Sequence, residues 1–127
     1  MIDNHQNEVE QLFIKTCNCL KVTGFNFRII KRKGPINTKK SFTVGYTNLK
    51  TKVIALDIYT PKKRQPKSLN SILRVFAHEI AHHQKKPYRQ YFKGKWINRS
   101  HYPAFYRQVN KNINKIKIDP RLSSYFK

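Results

Sequence analysis

With 127 residues the chain is long enough for one domain with its own hydrophobic core and too short for two. Apolar residues make up 39% of it, yet no run reaches the length of a membrane-spanning helix and the acidic, Asn-rich start lacks the form of a signal peptide. A monomeric, soluble intracellular protein is therefore expected, cytoplasmic or, in a eukaryote, nuclear. Lys and Arg outnumber Asp and Glu by 27 to 6, a net charge of +21 that solubility does not require and that implies a polyanionic partner.

Over residues 4–20, Val9, Leu12, Phe13, Cys17 and Leu20 recur on one helical face, with Asp3 or Asn4 as the cap. Cys17 and Cys19, two apart, point to different sides of such a helix and match neither a zinc nor a redox spacing, so they read as small helix residues in a reducing compartment. Three strands follow from alternation: Phe25, Phe27 and Ile29; Phe42, Val44 and Tyr46; Ile54, Leu56 and Ile58. The basic segment KRKGPINTKK joins the first two, and a short turn around Asn48 joins the second to the third. A strand at the edge of a cleft can pair with an extended peptide backbone. Asp57 falls out of phase with the apolar face and reads either as a solvated carboxylate or as one that orients a histidine. PKKRQPK, residues 61–67, is a proline-bounded linker into the next helix.

That helix, residues 68–84, carries the chemistry. Ser68 can cap it, and Leu69, Ile72, Leu73, Phe76 and Ile80 form one apolar arc. His78 and His82 fall nearly opposite that arc. They belong to His78-Glu79-Ile80-Ala81-His82, an H-E-x-x-H, in which residues four apart stack one turn above the other and can aim two imidazoles at one zinc ion, with Glu79 beside them as a general base. Adjacent His83 returns to the apolar side and reads as a buried, hydrogen-bonded residue.

Catalytic zinc usually takes three protein ligands, and no glutamate follows Glu79 to supply one. A metzincin pattern fails as well, because Lys85 and Tyr88 stand where Gly and His are needed. His101 and Asp119 remain. His101 lies at the start of a helical pattern opened by Pro103, with Phe105, Val109, Ile113 and Ile116 inward, so its backbone is well fixed; Asp119 precedes Pro120 at the end of that pattern, before what reads as a tail. The residues favour His101. A glycine-rich segment and a cysteine ligand of the peptide deformylase kind are both missing.

The run HEIAHH, a basic and aromatic insert, and then His101-x-x-x-Phe105 with a helix ending in Asn-Lys-Ile resemble the SprT-like (Spartan-type) zinc metalloproteases. The likeness extends upstream to Val44-Gly45-Tyr46 and Lys52-Val53-Ile54-Ala55-Leu56, and covers about residues 20 to 117. It implies cleavage of proteins attached to DNA. Many members carry a C-terminal zinc ribbon, for which this chain has no cysteines after Cys19.

The expected fold is α+β: a minimal zincin-like domain spanning residues 1–127, with an N-terminal helix, a three-stranded sheet, the HExxH helix and a C-terminal helix. Zinc would be held by His78, His82 and His101, with Glu79 catalytic. Oxyanion support is unassigned, with Tyr88, Tyr91 and Tyr102 as candidates. The insert, residues 85–100, interleaves cations with rings as single-stranded DNA binding requires: Trp96 with Tyr91 or Phe92 would stack an unpaired base while Arg89, Lys93 and Lys95 contact phosphate. The expected partners are DNA, preferably single-stranded, and a protein substrate. Two other readings fit the composition: a nucleic-acid-binding module with a structural or degenerate zinc site, and a zinc peptidase with no nucleic-acid role.

Overall fold

The computed structural model describes residues 4–30 and 45–126. Helix α1 (Asn4–Leu20) buries Val9, Leu12, Phe13, Thr16 and Leu20, with Cys17 partly covered, as the periodicity predicts. Asp3, one of the two expected caps, lies outside the described residues. So do Phe42 and Val44 of the second strand and the basic segment before them.

Strands β1 (Asn26–Ile29), β2 (Gly45–Asn48) and β3 (Val53–Leu56) form one sheet in the order β1-β3-β2, β1 parallel and β2 antiparallel to β3. The β2–β3 turn closes through Lys52, whose N–H bonds the Asn48 carbonyl at 2.9 Å with φ at 57°. Gly45 stands opposite Leu56, where an added Cβ would come within 2.7 Å of the Leu56 Cδ2 and 3.1 Å of the Ala55 carbonyl oxygen. Central β3 is almost wholly buried instead of alternating, and Ile58, just past its end, is buried too.

Helix α2 (Leu69–Gln84) starts where Ser68 caps it, the Ser71 N–H donating to its hydroxyl at 3.2 Å. Its Ile72, Leu73, Phe76 and Ile80 meet α1 and the sheet, and Phe76 sets its edge against Phe13 and Phe27 at centroid distances of 5.3 and 5.4 Å. Helix α3 (Pro103–Ile118) packs along α2 through Phe105, Val109 and Ile116. Between the two helices lies buried Asn112, donating to the Ala77 carbonyl at 3.1 Å and to Gln84 Oε1 at 2.7 Å. One helix before the sheet and two after it are the elements expected of a minimal zincin-like domain. Among the described residues no helix is long and apolar enough to cross a membrane.

Three features depart from the sequence reading or have no counterpart in it. The segment between α2 and α3 is an antiparallel hairpin, β4 (Tyr88–Phe92) with β5 (Lys95–Arg99), closed by Lys93 and Gly94 at φ of 51° and 82°, the left-handed pair that a two-residue turn requires. The residues after Asp119 are not a loose tail: Leu122 is fully buried, and a 3₁₀ turn (Ser123–Phe126) lays Tyr125 and Phe126 on the core. Asp57 does not face solvent. It is buried, accepts from Arg64 at 2.8 and 2.9 Å and from the Tyr59 N–H at 3.2 Å, and so ties the linker back onto the end of β3.

Candidate metal centre

Helix α2 turns its aliphatic arc to the core, which leaves His78 and His82 one turn apart on the opposite side. His101 precedes Pro103, whose fixed φ starts α3, and the packing of α3 on α2 carries the third imidazole to the first two. The ring centroids are 5.0 Å apart for His78 and His82, 4.8 Å for His82 and His101, and 5.4 Å for His78 and His101. One potential ligand nitrogen from each lies within 4.8 Å of the other two. Three imidazole nitrogens so placed would be able to share one zinc ion.

Phe105 backs all three rings. It is fully buried and lies 4.3 Å from His82, nearly parallel to it, and 5.1 and 5.2 Å from His78 and His101 in edge contacts. Asp119, the alternative ligand from sequence, sits at the other end of α3, where it accepts from Arg121. A helix of that length separates it from His101 by about 24 Å.

Burial, followed by the charge of His101, holds His78 below its usual range. Burial and then the neighbouring histidines push His82 down to about 4. Neutral imidazole is the form that ligates a metal, so the donor set fits a borderline cation such as zinc, which His78, His82 and His101 would hold. Glu79 is buried beside them, and desolvation raises its carboxyl to about 7. A dication held by the histidines would favour its ionised form.

His78, Glu79, His82 and His101 open onto a cleft of about 440 Å³, whose other wall is β2 with Gly45, Tyr46 and Thr47, continued by Leu49. Pro87 and Ser100, the two feet of the hairpin, close one side. None of the tyrosines proposed as oxyanion donors lines this cleft: the Tyr102 hydroxyl donates to the Lys86 carbonyl at 2.9 Å, Tyr88 packs on Tyr102, and Tyr91 packs on Trp96. The cleft tyrosine is Tyr46, half exposed at the edge of the sheet. In the sequence Tyr46 reads as part of an apolar strand face and of the SprT-like likeness, with no role assigned, and its neighbour Gly45 is the available sign of a close approach. His83 is half-buried where a buried residue is expected, but it makes the expected hydrogen bond, through Nε2 to the Thr47 hydroxyl, and meets Phe25 edge-on at 4.6 Å. Burial, and after it Lys52 and Lys86, hold its ring below the usual range.

Neither a family model nor a curated protein matches this sequence. Among solved structures, the metallopeptidase zymogen of Pyrococcus abyssi abylysin aligns with a TM-score of 0.49 at 18% identity, over 92% of this chain and 87% of that chain. A likeness of that degree carries no argument about this chain's activity.

The residues proposed for nucleic acid all lie on the hairpin. Its register sorts them: Arg89, Tyr91 and Trp96 share one face, Phe92 and Lys95 the other, with Lys93 in the turn. Tyr91 and Trp96 pair at 5.4 Å, and the Arg89 guanidinium lies 5.3 Å from the Trp96 ring. On the opposite face Arg99 and Lys93 flank the Phe92 ring at 5.7 and 5.3 Å. Trp96 is 61% exposed, so it is not local core under the insert.

Proposed function

We propose that this chain is a zinc-dependent endopeptidase of the SprT-like kind that binds DNA and cleaves proteins associated with or crosslinked to it. The observation that carries the peptidase reading is the convergence of His78, His82 and His101 with buried Glu79 in a cleft that has a strand for its far wall. Zinc held by the three imidazoles would supply Lewis acidity toward the scissile carbonyl and the attacking water. Glu79 would take a proton from the attacking water and later return it to the leaving amine, the ionised form needed for the first step being the one that a dication on the histidines favours. Among the described residues β2 is an outer strand of its sheet, and an extended substrate can add to it by main-chain hydrogen bonds, which would lay the peptide across the histidines.

The DNA part of the reading draws on the net charge of +21 and on the exposed Arg89, Tyr91 and Trp96 face, whose rings offer stacking surfaces beside cations. Because residues 87 and 100 line the cleft, nucleic acid on the hairpin would hold an attached protein near the proposed base.

Metal analysis alongside a DNA-stimulated proteolysis assay tests both parts. One zinc per chain is expected, lost in His101→Ala and kept in Asp119→Ala, while Glu79→Gln keeps the metal and loses hydrolysis. Parental zinc content in His101→Ala would sink the ligand set. Full activity in Glu79→Gln would sink the peptidase reading, and proteolysis indifferent to DNA would remove the nucleic-acid role.

A further inference from the structure

Leu49 lines both the cleft and a second pocket of about 270 Å³. His83 in the pocket follows His82 in the cleft, and Lys86 in the pocket precedes Pro87 in the cleft, so the same short pieces of chain border both. Val22 and Phe25 give the pocket apolar lining, Lys52 and Lys86 are its two basic residues, and no Asp or Glu lines it among the described residues.

Both lysines are held by their main chains. The Lys52 carbonyl accepts from the Asn26 N–H at 2.9 Å, and the left-handed turn fixes the residue between β1 and β2. Its side chain folds back over Phe25, Nζ lying 5.3 Å from the ring centroid and 3.5 Å from the Thr23 carbonyl, which leaves two of three N–H donors for another group. Lys86 is anchored through its carbonyl by the Tyr102 hydroxyl. Glycine or asparagine would fit the turn better than lysine does, so the residue at 52 is the costlier choice for the backbone and supplies a cation at the pocket.

We propose that this pocket is a substrate subsite for an acidic side chain, Asp or Glu, of a peptide lying along β2. The proposal rests on the peptidase reading of the cleft and adds to it the class of residue recognised. β2 lines the cleft beside the histidines and ends at Asn48, next to Leu49 of the pocket, so the acidic side chain belongs to a residue of the peptide beyond the reacting bond toward that end of the strand. A carboxylate there meets two basic residues beside apolar lining, and a basic side chain is repelled.

The test uses binding by the full chain carrying Glu79→Gln. Dye-labelled peptides differing only in the position of one Glu, each paired with its Gln counterpart, are titrated at about 0.15 M salt, where distant charges are largely screened. At one position Glu should bind more tightly than Gln by roughly three- to tenfold. That discrimination should vanish in Lys52→Gly with Lys86→Ala, glycine being suited to the φ at 52, and persist in Lys62→Ala with Lys63→Ala, two exposed lysines that line neither pocket. No peptide binding, a gain equal at every position, or discrimination that survives loss of Lys52 and Lys86 would overturn the proposal. Failure of the parent chain to hydrolyse any peptide would end the peptidase reading while leaving this binding result intact.

Discussion

Phe105 is the residue on which the three histidines most depend without its being one of them. Its ring contacts His78, His82 and His101 and also joins Ala81 and Val109 in the small cluster between α2 and α3. An apolar residue that fixes ligand orientation acts on metal affinity through geometry, as neighbours of metal ligands commonly do. Phe105→Leu keeps most of the volume and loses the flat face, so it should weaken zinc binding by about tenfold or more while the protein stays folded. Competition with a zinc chelator gives the affinity and thermal melting the stability; unchanged affinity would make Phe105 core and nothing else. Phe105→Ala should cost about 3–5 kcal/mol, the usual loss for deleting a buried aromatic ring, and is the poorer probe because unfolding would mask the metal effect. Added chelator should lower the melting temperature of the parent and leave His101→Ala unmoved, since a metal that binds only the native state stabilises only chains that hold it.

Among the elements, those whose burial is periodic were legible and those whose stability is local were not. The apolar arcs of α1, α2 and α3 could be read because each buries one face, and the same reading set His78 and His82 on the far side of α2. His101 was legible through Pro103, which fixes where α3 begins. The hairpin escaped because all five residues of β4 are exposed, so it has no apolar face to betray period two. Its signal was the Lys93-Gly94 pair between two runs of rings and long side chains, and its cross-strand contacts, Tyr91 with Trp96 and Tyr88 with Arg99, are the local interactions that hold such a ribbon. The packed C-terminus was missed because Leu122, Tyr125 and Phe126 span little more than one turn after Pro120, too short a stretch for any periodicity to show. Exposure gives the hairpin a clean test. Trp96→Ala removes little buried surface, so the melting temperature should stay within a degree or two, whereas loss of a stacking ring should lower single-stranded DNA affinity by about tenfold or more with zinc content unchanged. A variant with parental DNA affinity would take the stacking role from Trp96. Phe92→Ala, on the other face, shows which side the strand uses: a larger loss there than in Trp96→Ala would move the binding face to Phe92 and Arg99.

For the molecule as a whole, the charge is the property that no packing argument explains. Arg64 and Arg121 make ion pairs with Asp57 and Asp119, and six acidic residues could not neutralise 27 basic ones whatever their placement. Arg89, Arg99 and Lys93 instead lie over the hairpin's rings, which leaves their charge facing outward. Repulsion among so many cations opposes the compact state, and a polyanion that binds the folded chain relieves it. Two consequences can be measured together. Nucleic-acid affinity should fall steeply between about 50 and 200 mM salt, with a log–log slope steeper than about −3, because each phosphate neutralised releases counterions. The melting temperature without nucleic acid should rise over the same range as salt screens the repulsion. If the lysines are only a solvated face, the second effect remains and the first disappears: a flat salt response in binding, with a rising melting temperature, would separate the charge from any DNA partner. A steep slope shared by Trp96→Ala and the parent would assign the electrostatic part of binding to the body of the protein, leaving the hairpin ring to contribute affinity that salt does not screen.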